Sequence, residues 1–117
     1  MKIEMQGFGA IEVEGERYDY DLTIERGQIR KRGKGPSKVY RGRYGHTPLS
    51  AEEAIPWHGK RLYIGTGLYG SLPVMPEVYA AAAQRHIELV ALPTPELCAK
   101  LKSLRPEEVN AVLHVTC

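Results

Sequence analysis

From Tyr18 to Glu25 apolar and polar residues alternate without interruption. A strand turns successive side chains to opposite faces, so this pattern predicts Tyr18, Tyr20, Leu22 and Ile24 on one buried face. Ile11 and Val13 alternate with Glu12 and Glu14 in the same way. Turns at Gly15-Glu16 and Arg26-Gly27 would fold these segments, with Gln28 to Arg32, into a three-stranded antiparallel meander. Beyond Arg32 the alternation stops, and Gly33, Gly35, Pro36, Gly42, Gly45 and Pro48 mark a loop-rich passage. Ser50-Ala51-Glu52-Glu53 has the form of a capping box, in which hydroxyl and carboxylate satisfy the free N–H groups of a helix start. It predicts a short helix to about Ile55, stopped by Pro56.

After residue 60 the period changes. Arg61 to Ile64 reads as a strand, Pro76 opens a helix with Val78, Tyr79, Ala82 and Ala83 on one face, and Ile87 to Leu92 reads as a second strand. Thr94 is expected to cap a further helix with Pro95 in its first turn and Leu97, Cys98, Leu101 and Leu104 as its apolar stripe. Ala111 to Val115 is the last strand. Strand and helix in alternation predict parallel crossovers, which are right-handed. The expected fold class is therefore α/β: a single three-layer domain over residues 1–117. Its N-terminal antiparallel β meander and basic loop (1–48) would pack with a βαβαβ mixed sheet flanked by helices (49–117).

Composition fits one domain, since 117 residues with 43% hydrophobic content supply one core. No run approaches the roughly 20 apolar residues of a membrane span, and Met1 to Met5 lacks the apolar stretch of a signal peptide. A cytoplasmic protein without membrane attachment is expected. Cys98 and Cys117 are the two cysteines, too few for a disulfide framework or a four-cysteine zinc site. The net charge of +2 conceals segregation: residues 26–43 hold eight basic residues and no acid, whereas seven acids lie in residues 1–25. An acidic and a basic strand side by side would offset one another across the ladder, leaving a solvated face. Tyr40 and Tyr44 among the bases admit a nucleic-acid surface as a further reading.

Leu62 to Gly70 places a strand directly before Gly65-Thr66-Gly67-Leu68-Tyr69-Gly70, which spells G-x-G-x-x-G. A dinucleotide site needs a helix that opens inside this motif and an acid at the end of the following strand. Pro73 and Pro76 delay the helix, and Leu92 is followed by Pro93. No dinucleotide, and no other cofactor or metal, is therefore assigned. The Gly65 to Gly67 turn remains a candidate nest for an anion or small polar ligand. His46 and His114 are candidates to reach the same strand ends. On an extended strand His114 lies with Thr116, and Cys117 with Val115, which argues against a local Cys–His pair. Cys98 reads as core, and His58 and His86 have no evident partner.

His46-Thr47-Pro48, Ile64-Gly65-Thr66-Gly67 and Leu113-His114-Val115-Thr116-Cys117 occur at spacings that resemble the adipogenesis-associated Mth-domain proteins. That family also includes a mitochondrial assembly factor for respiratory complex I. The resemblance spans nearly the whole chain and implies a single layered α/β domain with a mixed sheet; it implies no agreed reaction. The expectation is a non-catalytic binding or assembly module with a small polar pocket built from Gly65, Thr66, Gly67, His46 and His114. It would take a protein partner or a small anionic ligand, with homo-oligomerisation open. The alternative is an enzyme on a small anionic or carbonyl substrate, with His46 or His114 as acid–base. A nucleic-acid role stands third.

Overall fold

Three short strands open the chain in the computed structural model, which describes residues 1–117. β1 (Ile3–Met5), β2 (Ile11–Val13) and β3 (Glu16–Tyr18) form a small antiparallel sheet in the order β1-β2-β3. The remaining strands are β4 (Leu22–Glu25), β5 (Gln28–Lys31), β6 (Arg61–Thr66), β7 (Glu88–Leu92) and β8 (Ala111–His114). They form a five-stranded sheet in the order β5-β4-β8-β6-β7. β6 runs parallel to both β7 and β8, while β4 is antiparallel to β5 and β8. Helix α2 (Pro76–Gln84) joins β6 to β7, and α3 (Thr94–Leu101) returns from β7 to β8.

The two crossovers lie on opposite faces of the large sheet, as the alternation along its strands shows. Leu22, Ile24, Tyr63, Ala111 and Leu113 pack with the small sheet and with Leu97, Cys98 and Leu101 of α3. Leu62, Ile64 and Val112 face the other way, onto Val78 of α2 and onto Leu49, Ile55 and Leu72. Both faces of β6 and β8 are thus covered, which is why these strands read as nearly continuous apolar runs. The layers are the small sheet with α3, the mixed sheet, and α2 with its neighbouring loop. This is the three-layer α/β arrangement expected. No helix is long and apolar enough to cross a membrane.

Several elements depart from the sequence reading. The alternating segment Tyr18 to Glu25 is not one strand, because it bends at Asp19-Tyr20 and passes from the small sheet into the large one. Leu22 and Ile24 are buried as expected, but Tyr20 is exposed and its place inside is taken by the carboxylate of Asp21. The meander is accordingly shared between two sheets, and its first hairpin includes β1, which the period did not reveal. One acidic-block strand does lie beside the basic one: β4 pairs antiparallel with β5, and Arg30 reaches Glu25 and Arg32 reaches Asp21 across that hairpin, whereas in the small sheet Glu4 sits opposite Glu12. Glycines and prolines of the loop-rich passage enclose a 3-10 turn over Gly35–Tyr40 and a single helical turn, α1 (Arg41–Tyr44). No helix forms at Ser50 to Ile55. The capping-box side chains turn inward instead, Ser50 to Ser37 and Glu53 to Arg32.

Candidate functional site

Arg32, at the end of β5, is where the buried polar chemistry begins. Its side chain is 1% exposed, with Nη1 donating to Asp21 Oδ2 at 2.9 Å and Nη2 to Glu53 Oε2 at 2.8 Å. Nε donates to Glu53 Oε1 and Nη2 also to the Pro48 carbonyl, so the guanidinium is satisfied by two carboxylates and a carbonyl. Burial alone would disfavour its charge, but Glu53 and Asp21 more than compensate and raise its pKa. The Ser37 hydroxyl donates to Glu53 and completes the cluster. These bonds hold the 33–56 arm against the carboxyl ends of the sheet strands.

Asp21 links this cluster to β8. Oδ2, besides accepting from Arg32, lies 2.8 Å from His114 Nδ1, and Oδ1 accepts from the Val115 N–H at 2.9 Å. Desolvation raises the carboxyl pKa, yet the hydrogen bond and charge of His114, the Val115 N–H and Arg32 together hold it below its ordinary value of 3.8. Asp21 is therefore an ionised acceptor, which fixes a proton on His114 Nδ1. In the neutral imidazole Nε2 is then an acceptor, and the Thr116 hydroxyl donates to it at 3.1 Å. His114 and Thr116 share a face, as strand alternation predicts.

A cavity of about 420 Å³ opens at this point. Its walls carry Arg32, Lys34, Lys38, Arg41, His46 and His114, with no Asp or Glu among the lining side chains. Thr47, Ser71 and Thr116 add hydroxyl groups, and Leu72 and Cys117 complete the wall. The bases that the sequence assigned to a charge ladder divide between that ladder and the cavity. Arg30 pairs with Glu25, Arg32 is buried, and Lys34, Lys38 and Arg41 face the cavity. Since β8 ends at His114, Cys117 is freed from strand alternation and lines the same space as His114.

The structure brings His46 and His114 to this cavity but gives the glycine turn different work. Gly65 and Gly67 are buried and Thr66, the register partner of His114, is half-buried; none of the three lines the wall. The Gly67 N–H donates to Thr94 Oγ1 at 2.9 Å, and Thr94 in turn donates to the His114 carbonyl at 2.7 Å. Thr94 thus stitches β6, α3 and β8 together rather than capping α3, whose first turn has no side-chain cap. The amides that an anion nest would offer are occupied, for Tyr69 N–H and Ser71 N–H both donate to the main-chain oxygen of Cys117 at 3.0 Å. Gly67 takes φ +102°, and a Cβ there would lie 2.6 Å from that oxygen and 2.8 Å from His114 Cδ2. These glycines permit close backbone approach. They shape the cavity from behind.

Asp21, Arg32 and Thr116 were not singled out by the sequence, where each is one polar residue among several at its face. His58, read as partnerless, contacts Glu25 and Arg26 at the far end of the sheet. Cys98 is buried in the core, where desolvation pushes its thiol up to about 11. No group of three or more His, Cys, Asp or Glu side chains is placed to hold a metal ion.

No family model and no curated protein matches the chain. Among solved structures it is similar to the conserved hypothetical protein PH1505 from Pyrococcus horikoshii OT3, with 31% identity over 100% of both chains and a TM-score of 0.82. It is also similar to MT938, at 23% identity over 98% of this chain and 99% of that one, with a TM-score of 0.67; this second likeness shows the fold alone.

Proposed function

From a chain that belongs to the family of the conserved hypothetical protein PH1505, we propose a binding module that takes a small anion, a phosphate or carboxylate compound, in the cavity at the carboxyl ends of β6 and β8. One observation carries this reading: the cavity lining holds four lysine or arginine residues and two histidines, and no Asp or Glu. Arg32 is neutralised by Asp21 and Glu53, so the charge available to a ligand comes from Lys34, Lys38 and Arg41. Positive side chains gathered in a concave site attract and orient anions, and the carboxyl ends of parallel strands are where open α/β sheets bind ligands.

Calorimetric titration with inorganic phosphate and with citrate tests it. Wild-type protein is expected to bind, with affinity reduced about tenfold or more in the Lys38→Ala/Arg41→Ala variant, since each lost charged hydrogen bond removes on the order of 1.5–3 kcal/mol. Equal binding by both proteins, or none by the wild type, overturns the proposal. A second reading, an enzyme on a small anionic or carbonyl substrate, is favoured by the Asp21–His114 pair at the cavity wall.

A further inference from the structure

The hydrogen bonds from Asp21 through His114 end on a hydroxyl, and that hydroxyl opens into the cationic cavity. Asp21 Oδ2 to His114 Nδ1 is 2.8 Å, and His114 Nε2 to Thr116 Oγ1 is 3.1 Å. An acid that accepts only, an imidazole held by it through Nδ1, and a hydroxyl within hydrogen-bond reach of Nε2 are the parts of a base-activated nucleophile. Further supports hold this arrangement. The Val115 N–H and Arg32 fix Asp21, and the Thr94 hydroxyl holds the His114 carbonyl. A purely structural histidine needs no unobstructed hydroxyl beyond it, yet both His114 and Thr116 line the cavity.

We propose that Thr116 is the nucleophile of an acyl-transfer site for small esters whose acyl group carries a negative charge. Thr116 Oγ1 attacks the ester carbonyl and its proton passes to His114 Nε2. As the tetrahedral intermediate collapses, the bond from the acyl carbon to the leaving oxygen breaks, and His114 returns the proton to that oxygen. The acyl group is then bound through oxygen to Thr116. Water attacks it, gives a proton to His114 Nε2, and releases the carboxylic acid as that proton returns to Thr116 Oγ1. Asp21 stays ionised throughout and balances the imidazolium. Lys34, Lys38 and Arg41 hold the charged end of the acyl group; the substrate class therefore rests on the anion-binding reading, whereas the nucleophile does not.

The test uses 4-nitrophenyl succinate, an activated ester with a free carboxylate, and measures nitrophenolate release together with the intact mass and peptide map of the protein. Wild-type protein is expected to acquire a succinyl group on Thr116. Thr116→Val, which keeps the shape without the hydroxyl, should lose it, Thr116→Ser should retain it, and His114→Gln should slow it by about 10²–10⁴-fold. Neutral 4-nitrophenyl acetate should react more slowly than the succinate. An adduct on a lysine or on Cys117 that persists in Thr116→Val, or no adduct in wild-type protein that binds phosphate, overturns the nucleophile while the binding site stands. Failure to bind phosphate, with acylation of Thr116 equally fast for both esters, overturns the anion site instead.

Discussion

Arg32 carries its charge into a place that water does not reach, where two carboxylates and a carbonyl receive it. Removing one partner of such a cluster costs far more than the cluster contributes, because the remaining charges stay buried without compensation. Arg32→Met is expected to destabilise the fold by about 3–5 kcal/mol, measured by denaturant unfolding. Arg30→Met, which breaks a partly exposed pair with Glu25, should cost far less, because solvent screens that pair. Equal losses would mean that Arg32 is not the hub. Nothing in the run Arg30-Lys31-Arg32 distinguishes these residues as text. Burial of a charge is decided by partners brought from far along the chain, here Asp21 and Glu53, 11 and 21 residues away. Thr116 was equally illegible, because a hydroxyl acquires chemistry only from the imidazole beside it.

At the level of elements, the strands and helices after residue 60 were legible because both faces of β6 and β8 are covered and α3 has a clear apolar stripe. Errors gathered where short elements meet. The alternation from Tyr18 to Glu25 cannot show that the chain changes sheets, since the period of two survives a bend at Asp19-Tyr20. The Ser50 and Glu53 pattern predicts a helix cap only when no stronger partner competes, and Ser37 and Arg32 do. The glycine turn was correctly placed at a strand end, and its spelling suggested a ligand where packing is the reason. At Gly67 a methyl group would meet Cys117 and His114, at a φ that L-residues rarely adopt. Gly67→Ala should therefore destabilise by about 3 kcal/mol, from backbone strain and overpacking together. A thermal midpoint unchanged from wild type would show that the turn accommodates a side chain.

Across the molecule, Asp21 joins the N-terminal hairpins, the 33–56 arm and the end of β8, so its ionisation bears on the whole fold. Its pKa is lowered on folding, which means that its contribution is complete above the ordinary value of 3.8 and is lost as acid protonates it in the folded state, below that value. Stability should fall below pH about 4, and Asp21→Asn should flatten that acid limb; parallel curves would assign the limb to other carboxylates. The strand order has a consequence in time. β8 is the last strand in sequence and the central one in space, flanked by β4 and β6. The β4–β5 hairpin and the β6–β7 pair have no shared edge until residues 111–114 enter between them. Closing the large sheet therefore requires β8 to pair with β4 from far earlier in the chain, and pairings of such long sequence separation are slow to form. Until then the edges of β4 and β6 stand open to other chains, which makes the interval between synthesis and insertion the period in which this protein is most exposed to misassembly.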